Sequence, residues 1–160
     1  MSTTARALVV AGLAAALVPA MTAPADAAPR QKGTTTVAPS PLTASVLQGL
    51  TGPAALSAEG AVFGIVGGDR DGVIKHVGGI VVAELNAATP ATSLELSNFW
   101  IDTRSATVSA VVNDSMRAPV FAVGAGGVLT FTETASAAVT GSPTAIAGMV
   151  AGVATVRPAS

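Results

Sequence analysis

Cysteine and tyrosine are missing from this sequence altogether, histidine and tryptophan occur once each, and charged residues make up only 11% of its 160 residues. Without cysteine there is no disulfide, no thiolate nucleophile, no cysteine-held zinc or iron–sulfur cluster and no lipidated cysteine. With a single histidine, any Ser-His-Asp chemistry would have to run through His76, yet no Gly-x-Ser-x-Gly elbow is present. Aromatics at 3% leave few platforms for sugar stacking, which disfavours a glycosidase despite Glu59, Glu84, Glu95, Asp102 and Glu133. Eight basic residues against nine acidic ones are scattered along the chain, so no nucleic-acid footprint forms. What is abundant is apolar: half of the residues, ample for one buried core.

Arg6, the uncharged run Ala7 to Val18 and the triplet Ala25-Asp26-Ala27 have the layout of a secretory signal peptide. A dozen residues of helix reach only about 18 Å, short of a bilayer core. The expectation is therefore a signal peptide over 1–27 and a mature chain without a membrane span, secreted or associated with the cell wall. The mean hydropathy of +0.62 is raised by this leader.

The stretch 28–40 is rich in Pro, Thr and charge and reads as a flexible linker, with a single β-rich domain over 41–158. Ser40 and Pro41 supply an N-cap and a first-turn proline, and Leu42, Val46, Leu47 and Leu50 share one face, predicting a short helix ending at Gly49 or Gly52. Beyond it the apolar period changes to two, in short runs bounded by Gly, Asn, Asp and Pro. The fold class expected is mainly β: an antiparallel β-sandwich-like domain with one or two short helices, the second capped by Thr132. Gly78-Gly79 predicts a bulge or bend. Alternation slips near Asn98, and parity places Trp100 in the core with Leu94 and Leu96.

The remaining motifs are turns. Asp69-Arg70-Asp71-Gly72 lacks the third acid and closing Glu of a calcium loop, and Gly124-Ala125-Gly126-Gly127 lacks the last glycine of a phosphate cradle. Neither a metal site nor a catalytic residue is expected. His76 lies on an apolar strand, where it is either a histidine bonded to backbone or to Glu95, or a cofactor ligand.

The segments VGGIVVAEL, SLELSNFWIDTRSATVSAVV, RAPVFAV, VLTFTETASAAV and GVATVRP together resemble a secreted bacterial β-rich domain over about Val46 to Pro158. More loosely, they are similar to the HtaA haem-uptake domains of Actinobacteria. That resemblance implies export, a β-rich fold and surface haem binding through a tyrosine of the N-terminal helix, assisted by a histidine. Here Leu47, Gln48, Gly49 and Leu50 stand near the tyrosine position, and His76 falls on an earlier strand than the family's histidine. Asn98, Asp102, Arg117 and Pro119 match the shared motif. The roles expected of them are an Asn satisfying backbone at the strand slip, an Asp102–Arg117 ion pair and a proline at a sheet edge.

The function expected is an exported, non-enzymatic binding or envelope-associated module with a small-molecule or cell-envelope partner. The alternative is a carrier of haem or a small hydrophobic ligand, with His76 as the cofactor-binding residue.

Overall fold

The computed structural model describes residues 32–68, 71–85 and 92–160. The signal-peptide reading, the Asp69-Arg70 pair and the loop read at Asn86 to Pro90 lie outside the described residues. The elements are β1 (Gly33–Pro39), α1 (Pro41–Val46), β2 (Leu47–Thr51), β3 (Ala55–Ser57), β4 (Gly60–Gly68), β5 (Val73–Val77), β6 (Gly79–Ala83), β7 (Ser93–Asp102), β8 (Thr107–Val112), β9 (Met116–Val123), β10 (Val128–Phe131), α2 (Glu133–Thr140) and β11 (Val150–Pro158).

The strands do not form the two facing sheets of a sandwich. They run β1–β4–β5–β7–β8–β9–β10–β11 and return to β1, a closed antiparallel barrel of eight strands. Strand periodicity reports which residues face a core, and it is the same whether that core lies between two sheets or inside one closed sheet. The pairing that closes the ring, β1 with β11, joins strands far apart in the chain and is a matter of register that alternation does not encode.

β1 also corrects the boundary of the linker. Its Thr34-Thr35-Thr36-Val37 run looks polar and aperiodic, but Thr is a strong strand former. Thr35 and Val37 point inward, Thr35 at 2% exposure, and β1 is hydrogen-bonded on both edges, to β4 and β11. The helix after it is shorter than its spacing implies. Ser40 accepts from the Thr43 N–H and Pro41 follows as expected, but α1 stops at Val46, and Leu47 to Thr51 pair with β6 instead. A two-turn helix has little stability of its own, whereas the open edge of β6 offers a ladder of backbone hydrogen bonds.

β5 and β6 are one strand broken at Gly78. Its φ of 89° is costly for any side chain, and a Cβ there would lie 2.8 Å from the Ala54 nitrogen. At the break the strand leaves β4 and takes β2 as its neighbour, while β7 pairs with both halves. α2 is capped by Thr132, which accepts from the Ala135 N–H, and is closed by Gly141 in the left-handed region. Leu42 and Val46 of α1 and Ala135 and Val139 of α2 converge over Phe131, so the two helices and the chain around Ile146 extend the apolar core beyond the lumen. Two edge-to-face aromatic pairs anchor that core, Phe63–Phe99 at 5.2 Å and Phe121–Phe131 at 5.6 Å between ring centroids.

The slip near Asn98 is a β-bulge. Asn98 takes φ 52°, a left-handed conformation that Asn tolerates better than most residues, and the β7–β8 register shifts between Ser97 and Trp100. Leu94 and Leu96 point inward before the bulge, and Phe99 and Ile101 after it. Trp100 is therefore turned to the outer wall and half-buried, contrary to the parity expectation. The inserted residue reverses the phase, so parity counted from Leu94 gives the wrong face for everything beyond it.

Candidate functional site

The single histidine is brought into the lumen by β5, 3% exposed, and both of its ring nitrogens are engaged. Nδ1 lies 3.0 Å from the Phe99 carbonyl oxygen, which can only accept, so Nδ1 carries the proton and donates it. Nε2 then presents a lone pair, and the Thr35 hydroxyl donates to it at 2.7 Å. Burial pushes the His76 pKa below its ordinary value, the Phe99 carbonyl opposing in part, so the ring is neutral at pH 7. Of the two structural partners the sequence offered, backbone and Glu95, the backbone is the one used.

Thr35 and His76 lie on the wall of a cavity of about 60 Å³ inside the barrel, where Val37, Phe63, Phe99 and Phe121 are among the apolar residues around them. A hydroxyl, a base and an orienting carbonyl in line have the outline of an activated nucleophile. Apart from Thr35, His76 and Thr43 the lining is entirely apolar. The arrangement fixes a buried, neutral histidine between the Thr35 hydroxyl and the Phe99 carbonyl.

Among the described residues there is no cluster of three or more His, Asp or Glu able to hold a metal ion. Glu59 pairs with Arg157 at 3.8 Å on the surface, both side chains largely exposed. Asp102 accepts from the backbone N–H groups of Arg104 and Ser105, at 2.9 and 3.3 Å, and these bonds hold its carboxyl below the ordinary carboxylate value.

Asp102 and Arg117 therefore do not pair. Arg117 reaches back from β9 across β8, and its Nη1 donates to the Asn98 carbonyl at 2.9 Å and to the Ser109 carbonyl and hydroxyl at 3.3 Å. Its guanidinium lies 3.8 Å from the Trp100 ring centroid, and the Lys75 ammonium lies 4.5 Å from the same centroid. Partial burial lowers the Arg117 pKa without removing its charge. Asn98 does serve the strand slip, through its backbone: its N–H donates to the Gly78 carbonyl and its freed carbonyl receives Arg117. Pro119 is not at a sheet edge. It sits inside the ring opposite Ser109, where the β8–β9 register shifts between Val108 and Ser109, a place that tolerates a missing N–H. Sequence reasoning missed the Lys75–Trp100–Arg117 group because the bulge had to be placed first.

No known family, curated protein or solved structure matches the chain. The likeness to HtaA domains thus gains no support from them. The lumen also fails to fit haem: its cavity is far below the roughly 300–1,000 Å³ of ordinary ligand pockets, and the only lone pair of His76 is taken by Thr35.

Proposed function

We propose that this chain is an exported, non-enzymatic binding module that associates with the cell envelope through the outer wall of its barrel. The observation that carries this reading is the filled lumen. An eight-stranded barrel is just wide enough either to be packed by its own side chains or to hold one small ligand. Here Phe63, Phe99, Phe121 and Phe131 fill the interior together with aliphatic residues, and the histidine is held between Thr35 and Phe99. A barrel without a roomy lumen acts through its surface. The apolar interior is also the reverse of the polar lumen of membrane-spanning barrels. Fractionating the native host tests the reading. The protein is expected in the envelope fraction without its first 27 residues, released by raised salt, and inert towards ester, amide, glycoside and phosphoester substrates. A cytoplasmic protein, or a hydrolase activity lost in His76→Gln, overturns it.

The residual cavity beside Thr35 supports a second reading, a carrier of a small apolar molecule of a few heavy atoms. Thr35 gives its proton to His76 and keeps acceptor capacity on its own oxygen, which suits a ligand with one hydroxyl. Titration with n-propanol, followed by methyl NMR, is expected to shift lumen signals in the native protein and not in Ala151→Leu, where the added side chain fills the space.

A further inference from the structure

We infer that Lys75, Trp100 and Arg117 form an oxyanion-binding site on the outer wall, which takes phosphate or carboxylate groups of an anionic envelope polymer. The proposal rests on the surface-binding reading above and names the place and the chemistry.

The site is built by register. Lys75 of β5 stands opposite Trp100 of β7, and Trp100 stands opposite Ser109 of β8, whose carbonyl and hydroxyl are met by Arg117 from β9. The bulge at Asn98 is what assembles it, because the same inserted residue turns Trp100 outward and frees the carbonyl that anchors Arg117.

Two like charges at 4.5 and 3.8 Å from one ring centroid lie closer together than the Debye length of about 10 Å at 0.1 M salt, so they repel each other with little screening. The negative face of the indole relieves that only in part. Among the described residues no carboxylate lies within ion-pair distance of either cation, the one ion pair being Arg157 with Glu59. The next outward acid on β7, Asp102, turns its carboxylate to its own turn. Two cations on one ring, with no counter-charge among the described residues, make a site that an anion completes.

The donors are in place for it. All three recorded bonds of Arg117 use Nη1, leaving Nη2 and Nε without a partner among the described residues, in the forked geometry that suits two oxygens of a phosphate or carboxylate. Lys75 is exposed and adds rotatable donors. Arg117 is held by its Nη1 bonds and by its stack on Trp100, so part of its side-chain freedom is already lost before binding.

Trp100 is the only tryptophan in the chain and reports on the site directly. The secreted protein is titrated at constant ionic strength with inorganic phosphate, with polygalacturonate and with neutral dextran, while Trp100 emission is read. Both anions are expected to change the emission, dextran is not, and the one bound more tightly names the polymer class. Lys75→Gln, at an exposed position, should weaken binding about three- to tenfold, and Arg117→Lys, which keeps the charge and loses the fork, about tenfold. Unfolding midpoints of both variants separate lost binding from lost folding. No emission change with either anion, or an unchanged affinity in Lys75→Gln, overturns the site. Retention in the envelope fraction would then still stand, by another surface.

Discussion

His76 makes the stability of this barrel depend on pH in a defined direction. In the unfolded chain an ordinary histidine titrates near 6.5, and burial in the lumen moves that titration lower. Between the two values the unfolded chain takes up a proton that the folded chain refuses. Stability is thus complete above pH 6.5, falls as the pH drops below it by up to about 1.4 kcal/mol per pH unit, and levels off beneath the folded pKa. The geometry gives the reason: protonating Nε2 turns it into a donor facing the Thr35 hydroxyl that now donates to it, inside an apolar wall. Asp102 does not confuse the measurement. Its carboxyl is held below 3.8, so its contribution is present above that value and is lost only in stronger acid. Urea unfolding between about pH 7.5 and 5 should show falling midpoints for the native protein and a much flatter profile for His76→Leu. Thr35→Val, nearly isosteric, should cost about 1–3 kcal/mol at pH 7 by leaving Nε2 unpaired in the lumen. A native profile that is flat, that rises towards acid, or that His76→Leu reproduces would refute the assignment of neutral, doubly bonded His76.

Phe99→Ala should cost about 3–5 kcal/mol, whereas Trp100→Ala, which loses two surface cation–π contacts of about 0.5–1 kcal/mol each, should cost under about 2. Urea midpoints decide the order, and Trp100 emission should be quenched by acrylamide; a Trp100 variant less stable than the Phe99 variant would place the ring inside. Asp102→Asn and Arg117→Met should be additive within about 0.5 kcal/mol in a double-mutant cycle, since the two side chains serve different partners. A coupling above about 1 kcal/mol would mean that they meet in solution.

Local chemistry was legible in the sequence where one residue decides the outcome. Ser40 and Thr132 begin helices because their side chains satisfy free N–H groups, and Gly78 breaks a strand because only glycine adopts that φ easily. The slip at Asn98 was visible as well, but its sense was not. Parity tells that Trp100 and Phe99 lie on opposite faces, and only the inserted residue tells which face is the core. β1 was hidden for a different reason: threonine counts as polar in a pattern, while in the barrel Thr35 satisfies its hydroxyl on His76 and behaves as a core residue. Ring closure depends on which distant strands become neighbours, and so does the meeting of Lys75, Trp100 and Arg117 from three strands. Neither leaves a local signature.

The seam between β1 and β11 has a consequence for how the chain folds. Gly33 lies opposite Pro158 and Pro39 opposite Gly152, so the barrel is completed by two strands from opposite ends of the described chain. A chain stopped before Val150 would hold every other strand, yet β1 and β10 would face one another across about 10 Å, two strand spacings, each with a bare edge. The hairpins β7–β8 and β8–β9 can zip early because their loops are short, but closing the ring brings together segments far apart in the chain, the slowest kind of contact to form. Until β11 docks, the phenylalanines of the lumen and the edge of β1 are open to water and to other chains. Folding is therefore gated by β11, and the ring stays open until Val150 to Pro158 is free to dock between β1 and β10.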